Sequence, residues 1–115
     1  MGGTVHERIV EDGIHPHSGA NIGIQLASAV AYVHSRGFVH GAVNSRNVFL
    51  LVDSDDFPFI KLAGFESSSS LFDKQKGCIM LARAGADVSG VCFVLIEALA
   101  KPTQTLQPRD VGRAV

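Results

Sequence analysis

The sequence contains no tryptophan, one tyrosine and only two cysteines among its 115 residues. Cys78 and Cys92 do not have C-x-x-C spacing, so they predict neither a zinc site nor a dithiol redox motif. Cys92 lies within an apolar run and is interpreted as a small buried hydrophobic residue, not as half of a disulfide. This use of cysteine predicts a reducing location, the cytoplasm.

An excess of charge of either sign is also absent. Ten basic and eleven acidic residues are scattered along the chain and give a net charge of −1. No basic face is evident, so we expect neither nucleic acid nor an anionic membrane as a partner. The first residues, MGGTVHERIVEDG, lack the apolar stretch of a secretory signal. The longest apolar run, at 88–100, is too short to span a bilayer and contains Glu97, which predicts a core helix.

Apolar residues nevertheless make up 46% of the chain, which is enough for one small globular domain. The pattern predicts a short helix within 3–12, a loop over 13–19, and a longer helix over 20–36 that is capped by Ser18 or Asn21. An arginine in the last turn and a glycine after it provide a C-terminal stop. The apolar stripe of this helix recurs at steps of three and four and consists of Ile22, Leu26, Val30 and Val33.

The second half of the chain predicts a hairpin, a polar loop and a helix. Two short apolar runs, NVFLLV and FIKLAGF, flank the polar turn DSDDFP and predict a β-hairpin. The polar segment ESSSSLFDKQKG is predicted to be a mobile loop, either simply solvated or open to phosphorylation at its serines. A very hydrophobic helix is predicted over 87–100, followed by a terminal loop over 101–115.

Several motifs stand in an order that resembles the C-terminal lobe of the protein kinases. HGAVNSRN, at 40–47, is similar to the catalytic-loop signature H-R-D-L-x-x-x-N, and GFE, at 64–66, occupies the position of D-F-G. AYVHSRGFVH and ADVSGVCFVLIEAL are similar to the helices before and after these motifs. The resemblance runs through residues 2–112 and implies a mainly α, α+β fold, with helices packed round a central apolar helix and one short β-hairpin. Residues 1–115 are thus expected to be one partial domain, a C-lobe with the N-lobe absent.

The residues that carry kinase chemistry are replaced. By the resemblance, Ala42 stands at the catalytic base and Gly64 at the metal-binding aspartate, while Gly41 and Asn44 replace the loop's basic residues. Asn47 alone survives, as the second metal position, and one neutral amide does not hold Mg²⁺ between phosphates. Because phosphoryl transfer depends on positioning and charge neutralisation, we expect no catalytic residue, metal, cofactor or nucleotide binding.

The retained positions are expected to serve structure. The resemblance implies that His40 packs inside the lobe and that Asn47 ties down loop backbone. It also implies that Asp87, which opens the apolar helix, bonds to the backbone of the catalytic loop, and as an N-cap it would stabilise the helix as well. Phe65 and Glu66 complete the degenerate metal motif. The histidines do not have zinc-ligand spacing, and DSDD is interpreted as a turn, not a calcium loop.

These expectations describe a pseudokinase fragment that acts as a protein-binding or allosteric module. An active kinase or its substrate is the expected partner, bound through an apolar patch formed by Val48, Phe49, Leu50 and Phe65. Two alternatives stay open. The chain is a truncated remnant of a serine/threonine-type kinase without its own function, or it is half of a kinase that binds ATP or is active only when a separate N-lobe is supplied.

Overall fold

The computed structural model describes residues 3–52, 58–71 and 77–100. Three helices and two small antiparallel sheets form the described part, and two short 3-10 turns precede β2 and β4. The predicted fold class, mainly α with a small β component, is confirmed. The elements in chain order are α1 (Val5–Glu11), α2 (Pro16–Ser35), β1 (Phe38–Val39), β2 (Val48–Val52), β3 (Phe59–Leu62), β4 (Ser69–Ser70) and α3 (Gly77–Ala100).

The short helix α1 begins at a reciprocal capping box. The Thr4 hydroxyl accepts a hydrogen bond from the Glu7 amide at 3.1 Å, and the Glu7 carboxylate accepts one from the Thr4 amide at 2.8 Å. Because these bonds favour the ionised form, the pKa of Glu7 is lowered from its usual value of 4.5. The helix thus starts where the sequence predicts a short helix.

Helix α2 begins earlier than predicted. Pro16 is its first helical residue, and His15 caps it by accepting a hydrogen bond on Nδ1 from the His17 amide at 3.2 Å. The predicted loop over 13–19 is therefore wrong beyond His15, and so are the predicted caps. Proline fits the first turn because the amide hydrogen that it lacks would have no partner within the helix. The predicted C-terminal stop is confirmed, since Gly37 follows the helix with a φ of +87°.

The core lies where α2 packs against α3 and the β2–β3 hairpin. The predicted stripe of α2 provides Ile22, Leu26 and Val30, all buried, while Val33 is partly exposed. Gly23 lies at the close approach of the two helices, where an added Cβ would lie 2.8 Å from Leu95 Cδ1 and the end of that side chain would have to shift. The remaining buried apolar side chains of the cluster are Val5, Ile9, Ile14, Val48, Leu50, Leu62, Val94 and Ala98.

Helix α3 is one continuous helix that starts ten residues before the predicted 87. Asp87 is consequently inside the helix and is not its N-cap, which corrects that expectation. The buried side of α3 carries Met80, Asp87, Val94 and Ala98, whereas Cys92 is exposed, so its interpretation as a buried residue is wrong. Among the described residues, no helix has the length and apolar content needed to cross a membrane.

The predicted hairpin is confirmed, and a second small sheet was not predicted. In the hairpin, β2 and β3 pair antiparallel, with Val48 opposite Leu62 and Leu50 opposite Ile60. The second sheet pairs β1 with β4, and the Leu71 amide donates to the Gly37 carbonyl at 2.7 Å. Residues 65–70 thus contain a 3-10 turn and strand β4 where the sequence predicted a loop. The predictions for the turn at 53–57, for 72–76 and for the terminal loop fall outside the described residues.

Candidate functional site

Asp87 anchors the loop between β1 and β2 from the interior. Its side chain is 1% exposed and accepts hydrogen bonds from the His40 amide at 2.7 Å and the Gly41 amide at 2.9 Å. Its Oδ2 also lies 2.8 Å from Nε2 of His34, near the end of α2. Three partners for one buried carboxylate compensate for its removal from water. One side chain of α3 therefore fixes the start of the loop relative to α2.

His40 is completely buried and has both ring nitrogens engaged. Nε2 lies 2.7 Å from the Ala63 carbonyl oxygen, so it carries the proton, and Nδ1 accepts from the Ala42 amide at 3.0 Å. The Phe65 ring packs edge-on against the imidazole, with ring centroids 4.6 Å apart. With this set of contacts, His40 joins the loop to the strand end that precedes Gly64 and has no nitrogen left for a ligand.

Asn47 and Gly64 face each other across the loop. The Asn47 Nδ2 donates to the Ala42 carbonyl at 2.8 Å, which closes the loop on itself. Gly64 has a φ of +77°, and a Cβ added there would lie 2.5 Å from Asn47 Oδ1. The Asn47 amide thus fills the space that a side chain at position 64 would need. A carboxylate at 64 is disfavoured both by backbone conformation and by contact.

Two further glycines allow close packing round the loop. Gly41 has a φ of +88°, and an added Cβ would lie 2.6 Å from the Ser67 carbonyl oxygen. At Gly90 of α3, an added Cβ would lie 2.8 Å from Val43 Cβ, so the loop packs directly on the helix backbone. Glycine at 41 is therefore explained by local geometry, and an arginine there would require the backbone to change.

The structure brings most of the predicted site residues together, with two differences. Four of these residues belong to the loop itself, and two lie against it: His40, Gly41, Ala42 and Asn47 in the loop, and Gly64 and Phe65 beside it. Asn44 caps the 3-10 turn before β2, where its side chain accepts a hydrogen bond from the Arg46 amide at 2.9 Å. Glu66 is exposed. The predicted apolar patch is wrong for Val48 and Leu50, which are 0% and 3% exposed because they form the inner face of β2.

His34 is the site residue whose role the sequence did not reveal. It lies 53 residues from Asp87, and only the packing of α2 on α3 brings the two side chains together. The sequence feature that could have indicated this role is the position of His34 in the last turn of a helix that leads into the loop. Among the described residues, no group of three histidine, cysteine or acidic side chains is arranged to hold a metal ion.

A shallow cavity of about 380 Å³ opens beside the loop. Tyr32, Phe38 and Phe65 form its aromatic walls and are 65%, 49% and 44% exposed. Val33, Arg36 and Ser68 complete the lining. The cavity is large enough for one aromatic or aliphatic side chain, and Arg36 is the charged residue in its described lining.

Comparison with known proteins gives structural matches only. No protein-family model and no curated protein matches the chain. The structure is similar to that of the Rad53 kinase domain and SCD2, with a TM-score of 0.70 and 19% identity over 97% of this chain and 45% of that chain. The same protein in complex with AMPPNP gives a TM-score of 0.69 and 20% identity, over 98% and 48% of the respective chains.

The chain thus spans less than half the length of these solved chains and shares their fold over nearly all of its own. The likeness shows a protein-kinase-like fold, of which the C-lobe-like part is present. This confirms the resemblance that the sequence motifs indicated.

Proposed function

We propose that this kinase-like C-lobe is a cytoplasmic pseudokinase module that binds another protein, an active kinase or its substrate, and does not transfer phosphate. The observation that carries the proposal is that the loop keeps its scaffold while its reacting groups are replaced. Its scaffold is held by Asp87, His40 and Asn47, while the positions that would act on a substrate hydroxyl and on a metal are Ala42 and Gly64. The architecture is kept and the reacting groups are missing.

The residues present do not fit a magnesium ion. Magnesium in phosphoryl-transfer sites is held by carboxylates together with the phosphates. Ala42 and Gly64 offer no side-chain oxygen, Glu66 is exposed, and the amide nitrogen of Asn47 is already bonded to the loop. At positions 42, 47 and 64, all of which the structure describes, Oδ1 of Asn47 is the one side-chain oxygen that remains, and it is neutral. A site of this kind cannot neutralise the charge on the phosphate groups of a nucleoside triphosphate.

Protein binding is supported by the cavity beside the loop. Three partly exposed aromatic rings line this cavity, and its volume suits one side chain of a partner protein. Aromatic residues are enriched in interfaces, and anchors that fill such pockets carry most of the binding energy. We assign the cavity of Tyr32, Phe38 and Phe65 as the centre of the partner surface.

The proposal is tested by direct binding to a panel of purified active protein kinase domains and their protein substrates. At least one member is expected to bind with a Kd of about 10 µM or tighter, which corresponds to roughly 7 kcal/mol. Phe38→Ala should weaken that binding at least about tenfold, because it removes one wall of the pocket. A radiolabelled assay with Mg·ATP should show no phosphate incorporated above the metal-free blank.

Phe59→Ala is the matched control. Phe59 is similarly exposed, at 56%, but it lies on the β2–β3 hairpin away from the cavity. Binding of this variant should stay within about twofold of the original chain, well under the 1.4 kcal/mol that a tenfold change represents. Equal losses from the two variants, or no binding by any panel member, would contradict the assignment.

A further inference from the structure

The outer face of α3 is apolar and carries no charged side chain along its centre. Over five turns, the residues that point away from the core are all exposed. Phe93 and Ile96 are 65% and 60% exposed, and an added Cβ at Gly85 would meet nothing within 4 Å. The residues along the centre of this face are Ala82, Gly85, Ala86, Ser89, Cys92, Phe93, Ile96 and Ala100.

Side-chain size changes along this face. Its first half contains Ala82, Gly85 and Ala86, and its second half contains Phe93 and Ile96, with Ser89 between them. A helix whose side chains grow larger along one face packs well against a second helix whose side chains grow smaller in the same direction. An antiparallel copy of α3 itself provides that second helix.

We propose that α3 forms an antiparallel homodimer centred on Ser89. A two-fold axis through Ser89 places Phe93 of one copy against Gly85 of the other, Ile96 against Ala82, and Cys92 against Ala86. Each large side chain then meets a small one, and each pair occurs twice, as a two-fold interface requires. The face shares no residue with the cavity assigned to the partner protein, so this inference is independent of the proposed function.

The flanks of the face agree with the same arrangement. On one flank, Leu81 of one copy lies beside Leu99 of the other, and these residues are 70% and 42% exposed. On the opposite flank, Glu97 of one copy lies about 3 Å along the axis from Arg83 of the other. Within each chain, Glu97 accepts a hydrogen bond from the Ser45 hydroxyl at 3.1 Å and Arg83 donates one to Ser69 Oγ at 3.2 Å. A two-fold axis keeps the two Glu97 side chains about 24 Å apart. The arrangement therefore brings no side chains of like charge together across the interface.

The area of the face is sufficient for a dimer. From Ala82 to Ala100 the helix is about 27 Å long, and half of its accessible surface over that length is about 500 Å². Two copies would bury roughly 1,000 Å² in total, which is the area of a weak, transient interface and below that of a stable one. We therefore expect a dimer that dissociates at micromolar concentration, not an obligate one.

Sedimentation velocity of the full chain between about 1 and 200 µM tests the proposal. A monomer–dimer equilibrium with a micromolar Kd is the expected result. Ser89→Cys should give a disulfide between the two position-89 side chains under mild oxidation, because Cα atoms at the axis of close-packed helices lie within the reach of a disulfide, about 4.4–6.8 Å. Ser28→Cys, at an exposed position on α2, is the control and should give no comparable link between equivalent residues.

A size exchange distinguishes this dimer from other association. Gly85→Leu should leave the fold intact, because the position faces open space, but should weaken dimerisation at least tenfold by colliding with Phe93. Adding Phe93→Ala to that variant should restore the dimer, since the large and small residues have changed places. A chain that stays monomeric at 200 µM would overturn the proposal. A dimer whose Kd is unchanged by Gly85→Leu would overturn it as well.

Discussion

Replacing Asp87 by asparagine is predicted to destabilise the whole chain. Asp87 is 1% exposed, and its two oxygens accept hydrogen bonds from two backbone amides and face His34 Nε2 at 2.8 Å. Asparagine has the same shape but only one acceptor oxygen. If that oxygen keeps the bonds of Oδ2, the amide NH₂ group faces the Gly41 amide, donor against donor. The opposite rotamer leaves the His40 amide without its acceptor.

The cost follows from the bonds that are lost. A hydrogen bond to a buried charged group contributes about 1.5–3 kcal/mol, and a buried donor without a partner costs about 1–3 kcal/mol. We therefore expect a loss of about 2–4 kcal/mol of unfolding free energy from a total of roughly 5–15 kcal/mol. For a chain of this size, the midpoint of thermal unfolding should fall by about 10–15 °C.

Urea unfolding followed by circular dichroism at 222 nm measures this change directly, and the absence of tryptophan makes the helix signal the appropriate probe. Asp12→Asn is the matched control, because its carboxylate is half-exposed and lies 4.0 Å from Nε of Arg8. That variant should change stability by less than about 0.5 kcal/mol. If Asp87→Asn were no more destabilising than Asp12→Asn, the loop would not depend on this carboxylate and our reasoning would be refuted.

Three further predictions concern the site, the core and the first helix. Gly64→Asp should cost about 2 kcal/mol or more in urea unfolding and confer no phosphate transfer, because its φ is +77° and its side chain would collide with Asn47. Leu26→Ala, at a fully buried position, should cost about 2–5 kcal/mol, whereas Ile24→Ala, at a position 69% exposed, should cost under about 1 kcal/mol. Glu7 has a lowered pKa in the folded state, so the stability that its ionised form adds is present above 4.5 and is lost as the pH falls through the lowered value. Glu7→Gln should therefore reduce the dependence of unfolding free energy on pH below 4.5.

Local signals predicted the long elements of the fold. Apolar residues at steps of three and four predicted α2 through Ile22, Leu26 and Val30, and β-branched runs either side of a polar turn predicted the hairpin. The start of α2 was missed, because Pro16 was interpreted as a break when it occupies the first helical turn. The early start of α3 was missed for a similar reason, since Asp87 was taken as a cap when it is a buried interior residue.

Tertiary packing decided the features that the sequence could not predict. Every residue of β2 is apolar, so alternation did not show that Val48 and Leu50 face the core. The bond between Asp87 and His34 joins residues 53 positions apart and arises from the packing of α2 on α3. By contrast, the bonds from the loop amides of His40 and Gly41 to Asp87 are of the kind that the resemblance implied. The replacements at Ala42 and Gly64 were visible in the sequence, but the amide of Asn47 filling the space beside Gly64 was not.

Thermal unfolding of the chain with and without Mg·ATP tests the central claim, that the loop is retained as structure without nucleotide chemistry. A ligand that binds only the folded state at 100 times its Kd adds about 2.7 kcal/mol, which would raise the midpoint by roughly 10 °C. We predict a cooperative transition whose midpoint is unchanged by 1 mM Mg·ATP, a concentration about 100 times a Kd of 10 µM. A concentration-dependent rise that requires magnesium would show that the site still holds a nucleotide, and would contradict the account.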